Sequence, residues 1–299
     1  MPDLLTDVDS FPRTAVLSRR VHRVLGLNPS AFTGPGTNTY IVGADRQAPL
    51  IIDTGSGRPE YLALLREYLA SAGIEPIARC LLTHVHPDHI GGARDLLELF
   101  PGLPIHKLPW PGQDEKFELP LISVRDGERF QGEGYALRAI HTPGHAQDHI
   151  CYYLQEEKAL FTGDMILGVG TTVIPTEGGD LGDYLASLRR IQTLDLERIY
   201  PGHGPVIDKP QEKVAAYLEH RLKRERQIVQ ELDGGGKTSW EIVGAIYREY
   251  PTHLHRAAEQ SVLSHIFKLE REGRVERSDG EPPVFALCAD SAERPADRQ

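Results

Sequence analysis

Four side chains that can bind a metal ion fall within six residues. The stretch Thr83-His84-Val85-His86-Pro87-Asp88-His89-Ile90-Gly91-Gly92 follows the apolar run Ile77-Ala-Arg-Cys-Leu-Leu. In an extended chain His84 and His86 point to the same side and can grip one ion. Beyond Pro87 the chain turns into a helix, so Asp88 and His89 can face a second ion. Three further islands carry His145 in Thr142-Pro-Gly-His-Ala-Gln-Asp-His, Asp164 in Phe161-Thr-Gly-Asp-Met and His203 in Tyr200-Pro-Gly-His-Gly. Each follows a short strand and sits in a Gly-containing turn. Loops at strand ends, held by a rigid sheet, are where sites are assembled. These seven residues are the candidate ligands of a two-metal site.

The elements that must position them alternate. Thr39-Tyr-Ile-Val and Leu50-Ile-Ile read as strands, and Asp53-Thr-Gly-Ser-Gly as a turn. Tyr61, Leu64, Leu65, Tyr68, Leu69 and Ala72 have helical spacing, with Gly73 as the stop. Residues 89–100 read as one helix closed by Pro101-Gly102. From 104 to 134, Pro104, Pro109, Pro111 and Pro120 break the pattern, which predicts a loop-rich excursion. Strands return at Tyr135–Ile140, Ile150–Leu154, Ala159–Phe161 and Ile199-Tyr200, with a helix over 183–194. Strand and helix in alternation predict an α/β layered domain. After Pro210 the character changes. A charged helix spans 211–233, and Gly234-Gly-Gly is a break. Thr238-Ser-Trp-Glu241 is a capping box opening a second helix. A third helix carries Ala258, Val262, His265, Ile266 and Leu269. A hairpin joins Val275-Glu-Arg to Val284-Phe-Ala-Leu through Asp279-Gly280. Helix, helix and hairpin make a winged-helix pattern. The division expected is a catalytic domain over 1–210, a helical and winged-helix domain over 211–288 and a disordered tail over 289–299.

Length and composition narrow the function classes. The 299 residues fit about two domains. No apolar run approaches the roughly 18 residues a membrane span needs, and the acidic N-terminus reads neither as a secretory signal nor as a transit peptide. Cys80, Cys151 and Cys288 form no CxxC pair, so buried thiols and a cytoplasmic location are expected rather than a disulfide framework. Net charge is −10, with −9 over residues 1–208 and −1 over 209–299. An acidic chain is not an obvious nucleic-acid partner, since phosphate binding relies on Lys and Arg.

The seven ligand candidates match, one by one, the motifs of metallo-β-lactamase-fold hydrolases, and over residues 15–208 the chain resembles that family. The resemblance implies an αββα sandwich with the metals at one edge. It also implies a ligand set: His84, His86 and His145 on the first ion, Asp88, His89 and His203 on the second, and Asp164 between them. Asp53, in Ile52-Asp-Thr-Gly, matches an acidic position that supports the His84–His86 loop; a plain turn-former is the other reading. Asn38-Thr-Tyr, Gly163-Asp-Met-Ile-Leu-Gly, Gly170-Thr-Thr-Val, Tyr200-Pro-Gly-His-Gly-Pro-Val and the winged-helix tail resemble the narrower β-lactamase-like protein 2 type. Animal members of that type are endoribonucleases on single-stranded RNA, and related fungal proteins hydrolyse carrier-bound thioesters. Val85 and Pro87 stand where the animal pattern has Trp and Arg, which removes a cation beside the metals.

Such a centre implies a metal-bridging hydroxide as nucleophile, because metal binding lowers the pKa of water to about 7. The second ion would polarise a carbonyl or phosphoryl oxygen. Zinc is the default for a His-rich site, and the two Asp ligands also suit manganese or iron. Asp88 is the candidate for orienting the hydroxide. His149 reads as an oxyanion donor or as a structural histidine. The substrate expected is single-stranded RNA; an acyl thioester, ester or lactone is the alternative, with weak β-lactamase activity as a side reaction. Trp110, Tyr153 and Tyr184 could line a pocket for either. In the C-terminal segment Arg221, Lys223, Arg224, Arg226, Lys268, Arg271, Arg274 and Arg277 could bind nucleic acid, or the segment could be a lid with its charges solvated. Interleaved Glu residues break up any basic face.

Overall fold

The computed structural model describes residues 10–74 and 76–288. The acidic N-terminus and the tail at 289–299, predicted to be disordered, lie outside the described residues. A seven-stranded sheet takes its strands in chain order: β1 (Thr14–Val16), β2 (Val21–Leu25), β3 (Asn38–Val42), β4 (Leu50–Ile52), β5 (Arg79–Leu81), β6 (Ile105–Lys107) and β7 (Leu121–Ser123). Its first four strands are antiparallel, and β4 to β7 are parallel. A five-stranded sheet does the same with β8 (Arg129–Gly132), β9 (Tyr135–His141), β10 (Ile150–Leu154), β11 (Ala159–Gly163) and β12 (Arg198–Pro201). There only β11 and β12 are parallel. The helices are α1 (Pro59–Ala72), α2 (Pro87–Ile90), α3 (Ala93–Leu99), α4 (Leu181–Gln192), α5 (Pro210–Asp233), α6 (Ser239–Ile246) and α7 (His255–Arg271), with a final hairpin of β13 (Val275–Arg277) and β14 (Phe285–Leu287).

Period-two alternation builds the layers. Leu50 and Ile52 of β4 meet Ile150, Tyr152 and Leu154 of β10 and Phe161 of β11 between the sheets. The intervening Ile51 faces Tyr61 and Leu65 of α1 and Leu96 of α3. On the far side Cys151 and Leu160 face Tyr184, Leu185 and Leu188 of α4. Helix, sheet, sheet and helix therefore stack as the αββα sandwich. The 24-residue α5, about 36 Å long at 1.5 Å per residue, is shared. Val214 and Tyr217 complete the core under α4, and Ile228 and Leu232 enter a separate core with Ile242, Val262, Ile266 and Phe285. That second core is the winged helix, and its α6 opens on the capping box of Thr238 and Glu241. Among the described residues no helix is long and apolar enough to cross a membrane.

Three local expectations are corrected. The helix over 89–100 is two helices, α2 and α3, parted at Gly91-Gly92. A Cβ at Gly91 would lie 2.3 Å from the Pro87 carbonyl and one at Gly92 2.2 Å from the Thr54 carbonyl, so the chain needs glycine to pass there. The excursion over 104–134 contains β6, β7 and β8; each is three or four residues long and bounded by the prolines and turns that hid it. Cys80 and Cys151 are buried, but Cys288, just past β14, is partly exposed.

His265 of α7 is buried against α5, with Nδ1 2.7 Å from the Ser261 carbonyl and Nε2 3.2 Å from the Arg221 carbonyl. Burial chiefly, with the Arg221 charge adding to it, brings its pKa down to about 4. The unfolded ring titrates near 6.5. A lowered folded pKa makes this contribution full above pH 6.5 and lost as pH falls toward 4. Urea denaturation between pH 7 and 4 should show about 3 kcal/mol more acid destabilisation in the native chain than in His265→Gln. Equal pH slopes would contradict it.

Candidate metal centre

Strand direction gathers the site. β4 and β5 run parallel and end at Asp53 and Thr83-His84, while β9, β11 and β12 share one direction and end before His145, Asp164 and His203. Backbone hydrogen bonds join the sheet edges there. Ile150 N donates to Thr83 O at 2.8 Å, and Asn38 N donates to Gly202 O at 2.7 Å. The Asn38 side chain also donates to the carbonyls of Pro201 (2.9 Å) and Gly204 (2.8 Å), locking the turn that carries His203. Gly202 is required by the site itself, because a Cβ would come within 2.8 Å of Asp164 Oδ1.

All seven predicted ligands come together, in two groups whose members could each hold a metal ion. One is His84, His86 and His145; the other is Asp88, His89, Asp164 and His203. In the first, His86 Nδ1 lies 2.9 Å from His84 Nε2 and 2.8 Å from His145 Nε2. In the second, His203 Nε2 lies 3.2 Å from both Asp88 Oδ2 and Asp164 Oδ1, and His89 Nε2 lies 3.3 Å from Asp164 Oδ1. The other oxygen of Asp164, Oδ2, turns to the first group, 3.5 Å from His145 Nε2. One carboxylate thus presents one oxygen to each group.

The rings are oriented from behind. His89 Nδ1 meets Asp53 Oδ2 at 2.7 Å, His145 Nδ1 meets the Val173 carbonyl at 2.7 Å, and His84 Nδ1 meets Thr83 Oγ1 at 3.0 Å. Such outer partners fix the ring orientation and leave Nε2 facing inward, as a lone pair once any proton there is lost. Asp53 accepts from Thr83 N at 2.8 Å and from Thr83 Oγ1 as well. It therefore braces both Thr83 and His89, beyond the His84–His86 loop expected of it. It holds φ at +59°, an uncommon region for a residue with a side chain.

Electrostatics divide the groups. Burial first, then the neighbouring imidazoles, lower His84 well below its usual value and bring His86 down to about 4. The ring of His145 also falls, chiefly through burial. In the second group burial opposes charge but is outweighed. Asp164 holds His203 up at about 9 and His89 well above its usual value. In return His89, with His203, brings Asp88 down to about 2. Three buried or half-buried imidazoles converge with ring nitrogens 2.8–2.9 Å apart, and a cation between them could take a lone pair from each. His89 Nε2 and Asp164 Oδ1 are buried without a hydrogen-bond partner. Both facts fit a divalent ion in each group.

Several expectations change. His149 is fully buried, with Nδ1 3.0 Å from Thr142 Oγ1 and Nε2 accepting from Asp164 N at 3.1 Å. Both ring nitrogens are used inside the protein, so it holds the Asp164 backbone and cannot donate to a substrate oxyanion. Tyr184 is buried with its hydroxyl on the Met165 carbonyl, and Tyr153 lies on the outer face of the five-stranded sheet beside Arg138. Neither lines the metal edge. Trp110 lies against the turn at Gly178. Sequence reading missed Thr83 as a hub, though it directly precedes His84. It also missed Lys107, a buried ammonium 2.7 Å from Asp148 Oδ2 and 2.5 Å from Asp114 Oδ1, which ties the loop after β6 to the His145–His149 turn.

The family model of the metallo-beta-lactamase superfamily matches residues 32–203, and that of the beta-lactamase associated winged helix domain matches 238–281. The chain is 42% identical over 281 residues to the beta-lactamase-like protein 2 homolog of Caenorhabditis elegans, covering 92% of this chain and 91% of that one. It is 42% identical over 253 residues to an atrochrysone carboxyl ACP thioesterase of Aspergillus novofumigatus, covering 81% and 75%. The crystal structure of a metallo-beta-lactamase family protein from Thermus thermophilus superposes with a TM-score of 0.75 at 24% identity, covering 91% of this chain and all of that one. The chain belongs to the metallo-beta-lactamase superfamily. It is a metal-dependent hydrolase with a C-terminal winged helix.

The two groups should take up metal with different pH dependence. His89 and His203 must lose protons held by the adjacent carboxylates, so affinity at their group should rise at least tenfold per pH unit between pH 6 and 8. The rings of His84, His86 and His145 are held below their ordinary value, chiefly by burial, so affinity at that group should change less with pH. Chelator-competition titrations at several pH values measure this, and two ions with the same pH dependence would contradict it.

Proposed function

We propose that this chain hydrolyses acyl thioesters or related esters at a centre of two divalent ions, zinc by default for a His-rich set. His84, His86 and His145 hold one ion, and Asp88, His89 and His203 hold the other, with Asp164 between them. The observation that carries this reading is that the two oxygens of Asp164 face different groups. Ions held there supply a water ionised near neutral pH and a Lewis acid for the carbonyl oxygen. The chain's own contribution is placement. Asp88 is the most open carboxylate of the set, with its side chain 28% exposed. It is the group that orients the attacking water. His149 keeps the Asp164 backbone fixed. In the reaction the acyl carbon gains a hydroxyl, the C–S bond breaks and the thiol leaves with a proton.

The surface favours an acyl substrate over the single-stranded RNA expected from sequence. Six of the eight C-terminal basic residues that could clamp RNA are engaged elsewhere, and Lys223 and Arg226 are exposed. Arg274 and Lys268 pair with Glu225, Arg277 with Glu270, and Arg271 with Asp180. Arg224 lies over the Tyr247 ring, and Arg221 is buried on the Thr172 carbonyl. Near the N-terminus Arg19 pairs with Asp45, Arg20 reaches Glu157, and Arg23 caps Phe11. Two exposed apolar side chains stand on segments that hold ligands. Val173 is on the residue whose carbonyl holds His145. Phe32 is 71% exposed on the loop whose Gly36 and Thr37 contact His203. The thioesterase named among the relatives supports the same reading.

The metal-loaded protein should hydrolyse a medium-chain acyl thioester of N-acetylcysteamine, followed by thiol release. Asp164→Ala should lower kcat/KM at least about a hundredfold. Cleavage of labelled single-stranded RNA with no thioester hydrolysis would overturn the substrate. Unchanged hydrolysis in Asp164→Ala would overturn the centre.

A further inference from the structure

The loop from Leu167 to Asp180 lies between the metal centre and the C-terminal unit, and the contacts on its two sides are of different kinds. On the metal side its backbone and one hydroxyl touch the ligands. The Val173 carbonyl accepts His145 Nδ1–H at 2.7 Å, and Thr172 Oγ1 donates to the Asp164 carbonyl at 2.7 Å. On the other side α5 grips the same few residues with two side chains four positions apart, which puts them on one helix face. The Tyr217 hydroxyl accepts from Leu167 N at 3.0 Å and donates to the Gly170 carbonyl at 3.0 Å. The Arg221 guanidinium donates to the Thr172 carbonyl and lies 5.4 Å from the centroid of the Tyr184 ring. Both residues are almost fully buried. The winged helix adds its own hold: His265 of α7 contacts the Arg221 carbonyl, Gln260 accepts from Thr176 Oγ1 at 3.0 Å, and Arg271 pairs with Asp180.

We propose that Arg221 is a positioning residue for the metal centre: by fixing the Thr172 carbonyl it holds the Thr172-Val173 segment that aims His145 and anchors Asp164. The proposal rests on the reading of His145 and Asp164 as metal ligands. Burying a guanidinium is costly unless its donors are matched, and here a donor ends on a specific backbone carbonyl. Its donor group ends on a backbone carbonyl one residue from the carbonyl that orients His145. Loss of outer partners of this kind lowers metal affinity about 10–100-fold. The C-terminal unit would then act on the reaction through ligand geometry, without touching substrate.

The test is a Co²⁺ titration of the full chain against a competing chelator, read by the cobalt ligand-field absorption, with folding checked by circular dichroism. His145→Ala runs beside it as the control for the underlying reading. Arg221→Met should fold, bind one of its two Co²⁺ ions at least tenfold more weakly and shift the absorption band. Arg221→Lys, which keeps a cation but loses the guanidinium fork, should give a smaller weakening in the same direction, and it carries the test if Arg221→Met fails to fold. A purely structural Arg221 would lower the melting temperature and leave both affinities and the band unchanged. That result, with an ion lost in His145→Ala, overturns the proposal alone. If His145→Ala keeps both ions at native affinity, the ligand reading fails, and the proposal with it.

Discussion

Asp164 is the residue on which the two halves of the site depend. Its carboxylate is buried between His145 on one side and His89 and His203 on the other, with a different oxygen toward each. A buried carboxylate with one oxygen lacking a hydrogen-bond donor is costly unless positive charge is near. Protons on His89 and His203 supply that charge in the metal-free chain, and divalent ions would supply it in the loaded one. The surrounding fold meets the requirement. Parallel strand ends bring the five loops to one edge, Gly202 leaves room for the carboxylate, and His149 holds its backbone amide.

Around this point the supports form two shells of different origin. Asp53 and Thr83 come from the seven-stranded sheet and brace His84 and His89. Val173, Thr172 and the α5 residues behind them come from the other side and brace His145 and Asp164. The winged helix contacts this second side at Thr176, Asp180 and the Arg221 carbonyl. Lys268, Arg271, Arg274 and Arg277 are paired with Glu225, Glu270 and Asp180 in that packing.

The ligand set was legible because each residue sits in a short motif at a strand end, where type and spacing are visible together. His84, His86, Asp88 and His89 are adjacent in the chain, and His145, Asp164 and His203 each follow an apolar run. The layer order was legible for the same reason. What spacing could not show were relations across long sequence distance. His149 lies close to His145 in sequence, yet its role follows from Thr142 and Asp164, which occupy both of its nitrogens. Arg221 reads as one more charge on a charged helix, and only packing reveals it as buried beside Thr172. The three short strands between 104 and 132 were hidden because three or four residues carry too little periodicity to outweigh the prolines around them.

The central claim is that Asp164 stands between two metal ions. A crystal structure of the metal-loaded protein, with anomalous data on each side of the metal absorption edge, tests it directly. Two anomalous peaks flanking the Asp164 carboxylate are the predicted result, one among His84, His86 and His145 and the other among Asp88, His89 and His203. A single peak, or two peaks that both leave Asp164 uncoordinated, would contradict the account.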